Sequence, residues 1–288
     1  RISELAARIA KDASKIEQAV QLGIIDGYII CPKNRMPART TSLVHAVSAI
    51  KSDAIAIFDP EYQAAFVKGA TNLGKLPEYD YFTFPLSFTL KPKQYEEINE
   101  KTINFQKTIG ATRFATPSPI IDDYDGISGY SSKMFAWDVQ ESQSSEIDKM
   151  LISLVLNVSI LSNRDSVDNL LNEVTNYSAK GFYIVIDHSS NGETWNNPGQ
   201  LASLMLIVNV LSQNGFEVYV GYSDGAGLLL LAAGATGIGT GWWKGSRVFN
   251  RNTRYFDSVA RRPKKAYFSK SLLNFISLDS LYPCLELE

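Results

Sequence analysis

Short apolar runs alternate with amphipathic stretches along the chain. Eight runs rich in β-branched and aromatic residues recur, and each is followed by a segment with helical spacing of its apolar positions. They predict strands at Ile24–Cys31, Asp53–Phe58, Tyr81–Leu86, Arg113–Pro119, Met150–Ser159, Phe182–Asp187, Glu217–Tyr222 and Ala235–Gly239. Several runs are apolar at nearly every position, which is typical of parallel strands buried on both faces. Eight β/α units in 288 residues predict one (β/α)8 TIM barrel, with an open doubly wound sheet as the structural alternative.

The segments between the predicted strands carry helix signals. Asn197 followed by Pro198 is a favourable helix start, and Pro92–Gly110 predicts a long surface helix. Residues 1–20 are charged and amphipathic, so they predict a helix rather than a signal peptide. This architecture predicts a barrel over residues 1–250 and a basic extension over residues 251–288 that packs on it.

Composition narrows the range of functions. Hydrophobic residues make up 45% and charged residues 20%, an ordinary globular balance, and the net charge is −2. Two cysteines and two histidines predict neither a disulfide framework nor a three-histidine zinc site. No apolar run has the length that a membrane span needs. We therefore expect a cytoplasmic protein without a membrane partner.

In barrel enzymes the reactive groups follow the strands, at their carboxyl ends. Asp59, Asp187, His188 and Asp224 occupy such positions and are the candidate catalytic residues. A carboxylate that closes an apolar run is partly buried, which raises its pKa and suits proton transfer, and histidine carries protons near neutral pH. Helix capping or an ordinary loop role is the alternative for each residue. Several carboxylates at one mouth predict either an acid/base pair or a divalent cation site.

Basic residues at the same edge suggest an anionic substrate. Lys33 and Lys244 end the first and last predicted strands, which are neighbours in a closed barrel, and Arg247 follows closely. A pair of lysines attracts an anion, while a desolvated lysine acts as an amine nucleophile. Trp242 and its neighbour Trp243 either stack on a sugar or base or pack against the barrel rim.

The tract GYSDGAGLLLLAAGATGIGTGWWKGSR, residues 221–247, carries a more specific signal. Gly239, Thr240 and Gly241 leave backbone N–H groups free to bind a phosphate or carboxylate. The LAAGA and GTG runs resemble the closing units of phosphate-binding barrels of the inosine-monophosphate-dehydrogenase and flavin-oxidoreductase groups. This resemblance implies a phosphate site at the glycine turn.

The carboxyl-terminal stretch Arg247–Lys270 interleaves basic and aromatic residues. Such a pattern suits contact with nucleic acid, although a solvated basic surface is its commoner explanation. The principal hypothesis is a barrel enzyme that acts on a small anionic substrate by acid/base or metal-assisted chemistry. The alternatives are a nucleic-acid-associated barrel in a larger assembly and a glycoside hydrolase.

Overall fold

The computed structural model describes residues 14–83, 92–123, 144–190, 195, 197–241, 246–257, 266–269 and 274–277. Residues 1–13 of the predicted amino-terminal helix, together with Trp242, Trp243 and Lys244, lie outside this description.

Seven parallel strands form the main sheet, and they follow one another in space in the same order as in the chain. They are β1 (Gly27–Ile30), β2 (Ile55–Phe58), β3 (Arg113–Ala115), β4 (Met150–Asn157), β5 (Gly181–Asp187), β6 (Glu217–Val220) and β7 (Gly237–Ile238). A separate antiparallel pair consists of β8 (Ala266–Ser269) and β9 (Asn274–Ser277). The strand order of a doubly wound sheet reverses at a switch point, so the doubly wound alternative is wrong.

The strand predicted at Tyr81–Leu86 is absent from its expected place in the sheet. Phe58 of β2 pairs directly with Phe114 of β3, which leaves no position for a strand between them. Tyr81 lies in a turn, where its ring packs 5.8 Å from the Phe58 ring and its hydroxyl donates to the carbonyl of Pro60 at 3.0 Å. Aromatic residues favour strands and cores alike, and here they build a core cluster outside the sheet. Residues 84–86 lie outside the described part of the chain.

The sheet is curled, because side chains from distant strands meet across its inner face. Arg113, the first residue of β3, forms two hydrogen bonds of 2.6 and 2.8 Å with Glu217, the first residue of β6. In a flat sheet these strands would lie about 14 Å apart. Ile29 of β1 lies against Gly239, directly after β7, so the two edge strands also approach each other. The result is a parallel, barrel-like sheet of seven strands; closure as an eight-stranded barrel is not established.

Helices separate most of the strands along the chain, and several neighbouring pairs of helices pack on one another. They are α1 (Lys15–Gln21), α2 (Pro37–Ile50), α3 (Pro92–Ile109), α4 (Arg164–Val174), α5 (Pro198–Gln213), α6 (Gly227–Ala232) and α7 (Arg251–Arg254). The helix start predicted at Asn197 is confirmed, since its side-chain oxygen accepts from the Gly199 N–H at 2.8 Å. In the part of the chain that the structure covers, no helix is both long and apolar enough to cross a membrane.

Candidate functional site

Asp59 lies at the carboxyl end of β2 and is 2% exposed. Its backbone N–H donates to the carbonyl of Ile30, which continues the pairing with β1 and fixes the residue at the inner rim. One carboxylate oxygen accepts from the Glu61 N–H at 2.9 Å. The other accepts from the Tyr183 hydroxyl of β5 at 3.0 Å and from the Tyr222 hydroxyl at 3.4 Å. Asp59, which the sequence predicts at the mouth, is therefore buried there among its hydrogen-bond partners.

Glu61 is fully buried and forms an ion pair with Arg254 of α7. Its second oxygen accepts from the Lys33 N–H at 3.1 Å. The Arg254 guanidinium also lies over the Tyr222 ring, 5.0 Å from its centroid. We call Asp59, Glu61, Tyr183, Tyr222 and Arg254 the Asp59 cluster.

The backbone of this cluster is strained at two positions. Among the described residues other than glycine, only Glu61 and Tyr222 have positive φ, at 48° and 53°. A non-glycine residue in the left-handed region costs of order 1–3 kcal/mol, and such residues concentrate at active sites. Both lie just beyond strand ends, and the Glu61 backbone N–H and the Tyr222 hydroxyl both donate to Asp59. The strain therefore coincides with two buried carboxyl groups of the mouth, Asp59 and Glu61.

Burial raises the pKa of Asp59 to about 7, and the nearby negative charge of Glu61 acts in the same direction. The hydrogen bond from the Glu61 N–H, the Arg254 charge and the Tyr183 hydroxyl oppose this rise. Cys31 ends the first predicted strand, and its sulfur lies 3.2 Å from the Tyr222 oxygen. Burial, with the charges of Glu61 and Asp59, raises the pKa of the Cys31 thiol to about 12, so it is protonated at neutral pH.

Asp187 lies in a second cluster at the end of β5. It is fully buried and accepts from the Ser189 hydroxyl at 2.7 Å and from the Arg251 backbone and guanidinium. The same guanidinium binds Asp122, whose carboxylate also accepts from the Asn157 amide at 3.0 Å. Asp187 is thus held as the partner of a fixed arginine.

His188 and Asp224 line one small cavity at the ends of β5 and β6. Asp224 also accepts from the Ala226 N–H at 2.9 Å, directly before α6, which is the capping role considered as its alternative. Burial lowers the pKa of His188, while the charges of Asp187 and Asp224 act against this.

Of the predicted anion-binding residues, the structure describes Lys33, Thr240, Gly241 and Arg247, and it joins Gly241 to Arg247. Lys33 is buried beside Glu61, and burial lowers the pKa of its amine. Thr240 is exposed. The Gly241 carbonyl accepts from the Arg247 Nε at 2.7 Å, and Ser246 packs so closely on Gly241 that a Cβ there would lie 2.0 Å from its own. Ser246 thus fills the space next to the Gly241 Cα.

Residues 246–257, which we call the arginine segment, cross the mouth between the two clusters. Phe249 and Tyr255 are fully buried, and Phe249 pairs with Asp187 by an isolated parallel bridge. Arg251 and Arg254 reach Asp187 and Glu61, so these two cations of the basic stretch are used inside the protein. Within the described ranges, no three His, Cys, Asp or Glu side chains converge as they would around a metal ion.

No known protein-family model matches the chain, and no curated protein is significantly similar to it. The site is therefore interpreted from its own geometry.

Sequence reasoning placed Asp59 after the second strand but did not identify its partner Tyr183 or the Glu61–Arg254 ion pair. Tyr183 lies within β5, four residues before its end, where a barrel interior position carries no distinct signal. Arg254 is separated from Glu61 by 193 residues. The spacing of Arg251 and Arg254, one helical turn apart, was the available signal, since it directs both side chains to one side of α7.

We expect Gly221→Ala to disrupt the Asp59 cluster. A Cβ at Gly221 would lie 2.4 Å from the Tyr183 hydroxyl oxygen, so the tyrosine must move away from Asp59. Overpacking of this kind costs about 1–3 kcal/mol of stability, which urea denaturation measures. The control is Gly221→Ala combined with Tyr183→Phe, which removes the nearest clashing atom and should recover part of the loss, since two ring carbons remain 2.9 Å from the added Cβ. Equal stability of wild type and Gly221→Ala would contradict the close packing.

Proposed function

We propose that this protein is a barrel-type enzyme that transfers a proton to or from a small anionic substrate, with Asp59 as the acid/base group. The observation that carries the proposal is Asp59 itself: a fully enclosed carboxyl at a strand end, with a pKa of about 7. A group is most effective in proton transfer when its pKa lies near the working pH.

The two carboxyl groups of the cluster have different surroundings, which supports a division of roles. Glu61 is bound by the Arg254 guanidinium and by the Lys33 N–H, so it serves as a fixed negative charge. Among the described residues, Asp59 has only hydroxyl and backbone N–H hydrogen-bond partners, and burial and the charge of Glu61 favour its neutral form. Neighbouring carboxyl groups whose environments differ in this way are typical of acid/base sites.

A short hydrogen-bonded chain supports proton movement between Asp59 and the rim. Tyr222 and Cys31 are both half-buried, and the Tyr222 hydroxyl contacts the Cys31 sulfur at 3.2 Å and Asp59 at 3.4 Å. Lys33, also at the end of β1, supplies a nearby cation that suits an anionic substrate. Metal assistance, nucleic-acid contact and glycoside hydrolysis remain alternative predictions.

The test is a screen of phosphorylated and carboxylated metabolites by mass spectrometry, comparing wild type with Asp59→Asn. We expect turnover of at least one compound, a loss of about 100-fold or more in Asp59→Asn, and an inflection of kcat/KM near pH 7 that this variant lacks. Asp53→Asn is the matched control, because Asp53 is exposed just before β2, at the opposite end of that strand. Absence of turnover, or equal turnover by Asp59→Asn, would refute the proposal.

A further inference from the structure

Lys33 lies just beyond β1, at the same rim as the Asp59 cluster, and the chain around it fixes its backbone and stem. The residue is 8% exposed, its backbone N–H donates to Glu61 at 3.1 Å, and its carbonyl accepts from the Lys75 N–H at 2.7 Å. Gly74, with a φ of 57°, packs so closely on it that a Cβ there would lie 3.0 Å from the Lys33 Cγ. The position of this lysine at the mouth is therefore well defined.

The amine at the end of this side chain has no partner among the residues that the structure describes. It donates no hydrogen bond and forms no ion pair there, and the nearby Glu61 carboxylate is bound by Arg254 instead. The Lys33 Nζ is also not one of the described polar atoms that are both enclosed and unpartnered, so it contacts solvent. Lys33 thus combines a buried stem with an unpaired nitrogen that a small molecule can reach.

The charges around Lys33 favour the neutral form of its amine. Burial lowers the pKa of this amine, and the positive charge of Arg254 acts in the same direction. The charges of Glu61 and Asp257 oppose the shift without reversing it. A lysine that is desolvated next to another cation is a typical amine nucleophile of enzymes that act on carbonyl compounds.

We propose that Lys33 forms a Schiff base with the carbonyl group of a small anionic aldehyde or ketone. The nitrogen lone pair attacks the carbonyl carbon, and a proton passes from the nitrogen to the oxygen, which gives a carbinolamine. One further proton from solvent then allows the C–O bond to break and water to leave. The product is an iminium with a C=N bond to Lys33, and no group is oxidised or reduced.

This inference names the substrate class of the proposed reaction, and in that respect it rests on the proposed function. An iminium withdraws electrons from the neighbouring carbon, so a proton on that carbon becomes acidic. Asp59 lies on the adjacent strand and has a pKa of about 7, so it can take such a proton. Glu61 joins the two residues, because its backbone N–H donates to Asp59 at 2.9 Å and its carboxylate accepts from the Lys33 N–H.

The test is reductive trapping with glyoxylate and sodium cyanoborohydride at neutral pH, followed by peptide mapping with mass spectrometry. Cyanoborohydride transfers hydride to the iminium carbon and fixes the adduct as a secondary amine. Glyoxylate combines an aldehyde with a carboxylate and has no C–H bond on the carbon next to its carbonyl, so trapping requires no turnover. We expect Lys33 to be modified about tenfold or more faster than Lys75, with a rate that saturates as glyoxylate increases. Lys75 is the reference because it is exposed and its backbone contacts Lys33.

Lys33→Met should lose this adduct while Lys75 is still modified, since methionine keeps an apolar stem beside Gly74 but has no amine. The wild-type peptide map identifies the modified lysine directly, so the result does not depend on the folding of this variant. Asp59→Asn should still form the Lys33 adduct. An adduct without turnover of any metabolite would refute the proposed function alone. No Lys33 adduct, modification no faster than at Lys75, or a rate that does not saturate would overturn this inference.

Discussion

Replacing Arg254 by methionine is expected to destabilise the protein by about 3–5 kcal/mol, since the fully buried Glu61 would lose its countercharge. Methionine retains much of the apolar volume of the arginine stem over the Tyr222 ring, so the change is mainly electrostatic. The free energy of unfolding from urea denaturation at neutral pH measures the effect.

Two further variants separate charge from packing in this experiment. Arg164→Met breaks an ion pair with Asp168 in which the side chains are 66% and 45% exposed, and it should cost less than about 1 kcal/mol. Adding Glu61→Gln to Arg254→Met removes the buried negative charge that has lost its partner, and it should recover a large part of the lost stability. If Arg254→Met costs no more than Arg164→Met, the Glu61–Arg254 pair does not stabilise the mouth.

Asp59→Asn is expected to stabilise the protein above pH 7. The pKa of Asp59 is raised from an ordinary value of 3.8 to about 7, so between these values the folded state holds a proton that the unfolded state has released. The contribution of Asp59 to wild-type stability therefore falls as pH rises from about 4 to about 7, by up to about 4 kcal/mol in total. Asparagine is neutral throughout and avoids this loss, while its oxygen can still accept from the Glu61 N–H.

The measurement is the free energy of unfolding across this pH range for wild type and Asp59→Asn. Titrating groups remote from Asp59 contribute equally to both proteins, so the difference between the two curves reports Asp59 together with its charged neighbours, chiefly Glu61. It should grow with rising pH and level off near pH 7 to 8. Asp53→Asn should follow wild type at every pH. A constant difference, or a variant less stable than wild type above pH 7, would show that the carboxylate is well accommodated.

The parts of the fold that the sequence predicts correctly are those governed by local patterns. β4 and β5 are apolar at nearly every position, and every one of their residues is buried. Asn197 begins a helix because its side chain satisfies a free N–H at the first turn. Tyr81 was misassigned because an aromatic run suits a strand and a core cluster equally, and only the direct pairing of β2 with β3 distinguishes them.

The positions of the candidate site residues could be predicted from the sequence, but their contacts could not. Asp59 and Asp187 follow apolar strands, so their placement at the mouth can be predicted from the chain alone. Their opposite environments cannot, because these depend on contacts between remote residues: Tyr183 for Asp59 and Arg251 for Asp187. The roles of Arg251 and Arg254 could not be predicted either. Their spacing is typical of a solvated surface, but both side chains bind buried carboxylates.

The arginine segment also has a consequence for how the chain matures during synthesis. Glu61 and Asp187 emerge from the ribosome 193 and 64 residues before the arginines that neutralise them. A nascent chain that has reached only residue 250 contains every strand of the parallel sheet but neither countercharge. We therefore expect the mouth to acquire its native packing only after α7 has emerged and docked.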